Sequence, residues 1–297
     1  MTQHSKFLIL IGGPTASGKT RLAIDLAREF KCEIINADSR QFYKEMTVGT
    51  AVPSGEELQM APHHFIQSHS IKNPLSAADF EEEAIPLLEK LFKTQDLVIA
   101  CGGSGLYLQA LAEGLDPLPP ANEEYREELE SILKQEGIQK LAEMLTQQDP
   151  EKAANMDLKN PRRVIRALEI LSAEPVEVVE KKPRPFQVIP LFLNMDREEL
   201  YQKIDQRVDT MMEMGLYEEV EALVPLRDSS ALQTVGYREL FDHLDGLMDL
   251  ETTVTKIKQH TRNYAKRQLT WFRNKGNYTE VFGLEQAKSA IENALHP

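Results

Sequence analysis

Along the first hundred positions, apolar residues fall into short continuous runs separated by longer segments with helical spacing. This is the pattern of a parallel sheet covered on both faces. Phe7-Leu8-Ile9-Leu10-Ile11 is the first run, Cys32-Glu33-Ile34-Ile35-Asn36-Ala37 the second, and Leu97-Val98-Ile99-Ala100-Cys101 reads as the third strand. Between them, Thr20 to Arg28 keeps Leu22, Ala23 and Leu26 on one face, and Ser76 to Phe92 does the same with Ala77, Phe80, Ala84, Leu87, Leu88 and Leu91. Val188 to Leu193 resumes the sheet, and Arg197 to Met214 predicts a helix ended by Gly215. Two Pro-rich stretches, Leu115 to Pro120 and Lys181 to Pro185, enclose a segment that is helical throughout. It contains Asn122 to Gln135, Gly137 to Leu145, and a helix opened by Asn160 as cap with Pro161 in its first turn. The prediction is an α/β protein with a parallel sheet flanked by helices and an inserted all-helical domain. Its core has a first part over 1–118 and a second over 187–297, and the insertion occupies 119–186.

With 297 residues, 41% of them hydrophobic, the chain can bury a sizeable core. No apolar run approaches the roughly 20 residues of a membrane span, and Met1 to Lys6 lacks the apolar core of a signal peptide, so a cytoplasmic protein with no membrane partner is expected. Cys32 and Cys101 both sit in or beside apolar strands, which predicts buried reduced thiols rather than a disulfide or zinc site. His63 and His64 have no Glu or Cys at ligand spacing. As neighbours on a strand they would point to opposite faces, so they are read as structural.

The first strand runs straight into Gly13-Pro14-Thr15-Ala16-Ser17-Gly18-Lys19-Thr20, and a helix follows. Strand, loop and helix together make this a P-loop. Gly13 and Gly18 let backbone N–H groups curl around a polyphosphate, Lys19 adds a point charge, and the Thr20 hydroxyl can ligate Mg²⁺. The second strand delivers Asp38, which faces the P-loop if chemistry gathers at the carboxyl ends of strands, or else simply caps a helix. After the strand ending at Cys101 come Gly102 and Gly103 where an ATP-hydrolysing enzyme commonly places an acid for Mg²⁺, and no Asn-Lys-x-Asp motif is present. Motors and switch GTPases are therefore disfavoured.

The net charge of −13 speaks against a nucleic-acid partner until its distribution is considered. Between Glu251 and Glu280 there is no acidic residue, while Lys256, Lys258, Arg262, Lys266, Arg267, Arg273 and Lys275 are all basic. On a helix, Lys258, Arg262, Lys266 and Arg273 form a stripe opposite Ile257, Tyr264 and Trp271, so one face is expected to dock and the other to await phosphates. Arg162, Arg163 and Arg166 share an outer face in the insertion, with Val164, Ile165, Leu168 and Leu171 turned inward. A plain solvated face accounts for either element equally well. Arg207 lies mid-helix among Asp205, Gln206 and Asp209, where it could be an ordinary surface arginine.

Five stretches together resemble the bacterial tRNA dimethylallyltransferases (tRNA isopentenyltransferases), in family order and over essentially the whole chain. They are Gly13 to Thr20, Asp38-Ser39-Arg40-Gln41-x-Tyr43, Gly102-Gly103-Ser104-Gly105-Leu106-Tyr107, Thr234-Val235-Gly236-Tyr237-Arg238, and Lys266-Arg267-Gln268-Leu269-Thr270-Trp271-Phe272-Arg273. The resemblance implies a P-loop NTPase-like fold. It also implies transfer of a dimethylallyl group from dimethylallyl diphosphate to N6 of the adenosine 3′-adjacent to the anticodon, with the tRNA anticodon stem-loop as partner; a monomer is expected. Gly13 to Thr20 and Arg207 would then hold the diphosphate, with Lys19 and Thr20 acting in catalysis and Mg²⁺ on Thr20. Asp38 would be the base. Carried over by position, Asp38, Ser39, Arg40, Gln41, Ser104, Arg126, Arg162, Arg163, Val164, Ile165, Arg166, Thr234 to Arg238 and Lys266 to Arg273 would meet the tRNA. Ser104 stands where Thr is more usual, and Phe42 replaces an aliphatic residue.

Other readings remain at this stage. A P-loop kinase of a small metabolite explains the loop and an Asp base but leaves the basic helix idle. A prenyltransferase of free adenine nucleotides shares the diphosphate chemistry, and a non-enzymatic RNA-binding module has no use for the P-loop.

Overall fold

The computed structural model describes residues 5–119, 122–173, 183–275 and 277–296. Its sheet has six parallel strands in the order β3-β2-β4-β1-β5-β6. These are β1 (Phe7–Gly12), β2 (Ile34–Asn36), β3 (His63–His64), β4 (Leu97–Cys101), β5 (Gln187–Leu193) and β6 (Thr279–Val281). Leu97–Cys101 is thus the fourth strand and not the third. The missed strand is the two histidines, too short and too polar to signal itself: His64 Nε2 meets Glu33 at 2.7 Å and His63 Nδ1 lies 2.8 Å from the Ala61 carbonyl.

Every residue of β1 is buried, because alternate side chains enter different cores. Phe7, Ile9 and Ile11 pack with α1 (Lys19–Phe30) and with Ala287 and Ile291 of the last helix. Leu8 and Leu10 face the opposite side, where α3 (Ala77–Leu91), which follows the short α2 (Gly55–Met60), and α4 (Gly105–Glu113) cover the sheet. A strand covered on both faces has no polar side to show, which is why its run is continuous rather than alternating.

Placing β4 between β1 and β2 sets the geometry of the site. Cys101 pairs with Ile11 on one side and Asn36 on the other. Ala37 N–H donates to the Cys101 carbonyl at 2.8 Å, and Gly102 N–H donates to the Ile11 carbonyl at 3.1 Å. The loops after β1, β2 and β4 therefore leave the sheet side by side at its carboxyl edge, where open α/β sheets bind ligands.

The chain forms two compact units, Met1–Gly114 with Pro183–Pro297, and Leu115–Lys182. The second holds α5 (Glu123–Glu136), α6 (Ile138–Gln148), α7 (Pro150–Ala154) and α8 (Pro161–Ser172) around Leu129, Leu141, Leu145, Val164 and Leu168. Asn122 and Asn160 cap α5 and α8 through their side chains, accepting from Tyr125 N–H and Arg163 N–H. Lys181 and Lys182 of the second Pro-rich boundary, and Pro120 of the first, lie outside the described residues. The first unit continues with α9 (Arg197–Glu213), α10 (Leu216–Ala222), α11 (Tyr237–Leu244), α12 (Leu250–Asn274) and α13 (Leu284–Leu295). Among the described residues no helix is long and apolar enough to cross a membrane.

Candidate active site

The P-loop has left-handed or otherwise positive-φ backbone at both of its glycines. Gly13 has φ +143°, with space for a Cβ closed by the Leu193 carbonyl at 2.6 Å, and Gly18 has φ +88° at the start of α1. Ala16 between them is also left-handed, at φ +62°. Successive N–H groups so arranged form an anion-binding concavity. Its polar groups lack partners suited to a folded interior: the Ser17 hydroxyl is buried with no hydrogen bond, and Lys19 Nζ reaches back to the Pro14 carbonyl at 2.6 Å. Burial pushes the Lys19 ammonium down to about 8, with the field of Asp38 opposing the fall and that of Arg207 adding to it. Burial likewise holds Cys101 as a thiol, pushed up to about 12.

A cavity of about 490 Å³ opens over this loop, between Lys19 and Thr20 on one side and the Thr47–Pro53 loop, Met211 and Met214 on the other. A smaller one of about 90 Å³ lies beside it, lined by Thr15, Asp38, Arg40, Thr234 to Gly236 and Tyr264. Arg207 and Met211 belong to the walls of both. The arginine that looked like a surface residue is half-buried, and its pKa is lowered by burial against the field of Asp38. Sequence spacing could not show this, since its neighbours Gln206 and Asp209 are exposed.

Asp38 caps no helix. Asp38 leads into turns over 39–42 and 44–45 with an isolated bridge at Tyr43, its Oδ1 accepts from the Arg40 N–H at 3.1 Å, and the first helix after β2 begins at Gly55. The helix-cap alternative therefore falls away. Asn36 fixes the turn by accepting from Asp38 N–H at 3.2 Å and donating to the Phe65 carbonyl at 3.0 Å. The β4 loop lies against it: a Cβ on Gly102 would overlap the Ala37 carbonyl, and Ser104 Oγ accepts from Ser39 N–H at 3.1 Å.

Several residues grouped by resemblance separate in the fold. Gln268 is buried, accepting from Thr15 N–H at 2.8 Å and donating to the Gly103 carbonyl at 2.9 Å, so it ties the P-loop to the β4 loop. Phe272 is buried and stacks on Phe192, while Trp271 packs over Gly105. Leu269 is half-buried, which leaves Lys266, Arg267, Thr270 and Arg273 as the exposed members of that segment. Gln41 is buried and donates to the carbonyls of Thr50 and Ala51 at 3.1 and 2.9 Å. Tyr237 is fully buried, next to an exposed Arg238.

The basic stripe of α12 is partly occupied within the molecule. It does not simply await phosphates, because α9 lies against it: Lys258 pairs with Asp209 at 2.6 Å, Arg262 pairs with Asp205, and Lys266 Nζ sits 5.8 Å from the centre of the Tyr201 ring. Tyr264, read as part of the docking face, lines the Asp38 cavity instead. In the helical unit the three arginines do not share one outer face. Arg166 turns back to the Pro119 carbonyl at 2.7 Å and, with Arg126, onto the buried carboxylate of Glu169, at 3.3 and 2.8 Å. Arg162 and Arg163 are exposed, and Val164 and Ile165 belong to the core of the unit.

Among the described residues no cluster of three or more His, Cys, Asp or Glu could hold a metal. Thr20 lies on the cavity wall beside Lys19.

The family model described as IPP transferase matches residues 41–275. The chain belongs to the IPP transferase family. It is 50% identical to the tRNA dimethylallyltransferase of Christiangramia forsetii over 91% of each chain, and 44% identical to that of Cytophaga hutchinsonii over 97% of this chain and 99% of the relative. Among solved structures, the full-length tRNA isopentenylpyrophosphate transferase of Bacillus halodurans superposes with TM-score 0.71 at 38% identity, covering 98% of this chain and 95% of that one. A eukaryotic dimethylallyltransferase acting on tRNA superposes with the same TM-score at 25% identity, over 98% of this chain and 77% of its own. The match to the IPP transferase model begins after the P-loop. It takes in Arg207, Thr234 to Gly236, Tyr264 and Gln268, the distant residues that complete the site.

Proposed function

We propose that the chain transfers a dimethylallyl group from dimethylallyl diphosphate to N6 of the adenosine 3′-adjacent to the anticodon in tRNA, releasing diphosphate. The observation that carries this reading is the pair of adjoining cavities with Arg207 in both walls, one floored by an anion-binding P-loop and the other by Asp38. A substrate with a charged tail in the first and its reacting carbon toward the second would meet an acceptor beside a carboxylate.

The diphosphate would lie on the P-loop N–H groups with Lys19 and Arg207 against its oxygens. As N6 attacks C1, the C1–O bond breaks and its electron pair leaves with the diphosphate. Charge develops there in the transition state, so fixed donors aimed at it lower the barrier. Thr20 would hold Mg²⁺, which when bound supplies further positive charge to the same oxygens. Asp38 takes the proton N6 sheds, a role that requires approach to about 3 Å. The adenine leaves its stack to reach the cavity, with Thr234 to Gly236 and Tyr264 as its walls. Arg162, Arg163, Lys266, Arg267 and Arg273, exposed on their helices, would meet backbone phosphates. On this reading the enzyme works as a monomer in the cytoplasm.

Incubating the protein with labelled dimethylallyl diphosphate, ATP, bulk tRNA and AMP tests the proposal. Label is expected in tRNA alone, with ATP neither consumed nor required. Label in AMP would favour the free-nucleotide prenyltransferase, and tRNA-stimulated ATP hydrolysis would sink the transferase reading.

A further inference from the structure

Glu219, on α10, takes no part in the proposed chemistry, yet its carboxylate accepts four hydrogen bonds. Three come from consecutive backbone N–H groups of Thr47, Val48 and Gly49, at 2.9, 2.7 and 3.0 Å, and the fourth from the Tyr237 hydroxyl at 2.6 Å. The two partners serve the walls of both cavities. The 47–53 loop forms one side of the larger cavity through Thr47, Val48, Ala51, Val52 and Pro53, and lends Gly49 and Thr50 to the cavity of Asp38. Tyr237 follows directly on Thr234 to Gly236, which line the cavity of Asp38. The fit between them is close: a Cβ at Gly49 would lie 2.6 Å from the Tyr237 ring. Burial and the adjoining carboxylate both raise the Tyr237 pKa, so its hydroxyl stays protonated as a donor.

The loop has no regular structure of its own to hold it. Besides Glu219 it is tied by Gln67, which donates to the Thr47 hydroxyl at 2.7 Å, by Gln41, which holds the carbonyls of Thr50 and Ala51, by Thr50, whose hydroxyl turns back to the Met46 carbonyl at 3.0 Å, and by turn bonds from Ala51 N–H to the Val48 carbonyl and from Val52 N–H to the Thr47 carbonyl. Three parallel N–H groups in a turn repel one another electrostatically and need an acceptor. A carboxylate has the lone pairs to satisfy all of them and the tyrosine together.

We propose that Glu219 is a specificity-positioning residue. By holding the 47–53 loop against Tyr237, it fixes the apolar wall of Val48, Ala51 and Val52 opposite Met211 and Met214, and so limits the length of the prenyl chain the larger cavity accepts. This rests on the donor-binding role proposed for that cavity. A pocket discriminates against an added methylene by about 10- to 200-fold, and here one wall is a loop whose three consecutive N–H groups at its start all rest on a single carboxylate.

Equilibrium binding of inorganic diphosphate, dimethylallyl diphosphate and geranyl diphosphate to wild-type protein and Glu219→Gln tests this without requiring turnover. Glutamine keeps the size but presents an NH₂ where a second acceptor stood, so a donor faces a donor in either orientation. The expected result is unchanged affinity for inorganic diphosphate, dimethylallyl diphosphate weakened about tenfold by loss of these bonds, and a smaller loss for geranyl diphosphate, so that discrimination between the two prenyl ligands narrows. Tyr237→Phe, which removes one of the four donors and leaves the loop bonds intact, should shift the same ratio in the same direction by less, and it serves if the glutamine variant does not fold. An unaltered ratio in both variants overturns the positioning role alone. Wild-type protein that binds inorganic diphosphate as tightly as dimethylallyl diphosphate overturns the donor-site reading, and this inference with it.

Discussion

The P-loop closes within eight consecutive residues, whereas the cavity around Asp38 takes its walls from seven separate stretches: Thr15, Asp38 to Arg40, Gly49 and Thr50, Arg207 to Met211, Leu216, Thr234 to Gly236 and Ile257 to Tyr264. The first takes its shape from its own backbone, with Gly13, Ala16 and Gly18 at positive φ, and shares with the second only the strut at Thr15. The second is held by remote struts, Gln268 from α12 to the Thr15 N–H and the Gly103 carbonyl, and Gln41 to the 50–51 turn. A contiguous site fails when one of its own residues changes. An assembled one also fails when a residue that touches no substrate changes.

The largest effect should come at the floor of the assembled cavity. Asp38→Asn keeps an acceptor for the Arg40 N–H, so the melting temperature should hold. Single-turnover transfer should fall by about 10² to 10⁴, the worth of a positioned general base. Rapid-quench measurement of the chemical step decides the point, and a wild-type rate would leave Asp38 a turn residue only.

Arg207→Gln removes the one charge shared by both cavities. A loss of about 10² to 10³ in kcat is expected, as for one fixed donor on a developing anion, together with weaker diphosphate binding. A change confined to tRNA affinity would show that Arg207 serves the Asp38 side alone.

Gln268→Ala tests whether the two ends depend on each other. It leaves the Thr15 N–H and the Gly103 carbonyl buried without partners, a destabilisation of about 2 kcal/mol or more, read by denaturant unfolding. Diphosphate affinity should drop even though position 268 lies outside the P-loop. Were only tRNA binding affected, Gln268 would be a surface contact despite its burial.

The contiguous end makes its own pH prediction. Lys19 titrates in the free protein at about 8, below its ordinary value because it is buried, and a bound diphosphate raises it again. Binding therefore takes up a proton above pH 8. Without added Mg²⁺, and after allowing for the diphosphate's own ionisation, the affinity lost on deprotonating Lys19 should be absent below about pH 8 and grow about tenfold per unit above it, following the proton linkage. Calorimetry in buffers of different ionisation enthalpy reads the proton directly.

The smallest effect separates the two halves of the α12 stripe. Lys266→Ala or Arg267→Ala should flatten the salt dependence of tRNA binding by about one unit of slope per lost phosphate contact. Lys258→Ala and Arg262→Ala should change it by much less, because Asp209 and Asp205 already neutralise them. Equal slopes for all four variants would mean that the acids of α9 let go when tRNA arrives.

Much of this molecule was legible because some of its chemistry is local. A strand buried on both faces must be apolar at every position, as β1 is, and the P-loop needs glycines at fixed offsets from that strand. Asn160 and Pro161 mark a helix start wherever they occur. All of these could be read one segment at a time, and they led to the parallel sheet, the glycine-bearing loop between β1 and α1, and the all-helical unit.

Other properties depend on which segments meet. The composition of α12 showed a basic stripe, and only the packing of α9 decided that Lys258 and Arg262 are occupied while Lys266 and Arg267 face solvent. The order of residues around Arg207 looked like an exposed helix face, and only the convergence of the P-loop, the 47–53 loop and the Asp38 turn made it a shared wall. Glu219 has no signal in sequence, since a glutamate on an exposed-looking helix becomes a keystone only when three N–H groups from a loop 170 residues away are brought to it. The physical reason is one of range: backbone conformation and periodicity are settled by neighbours along the chain, while burial, ion pairing and the satisfaction of buried polar groups are settled by neighbours in space.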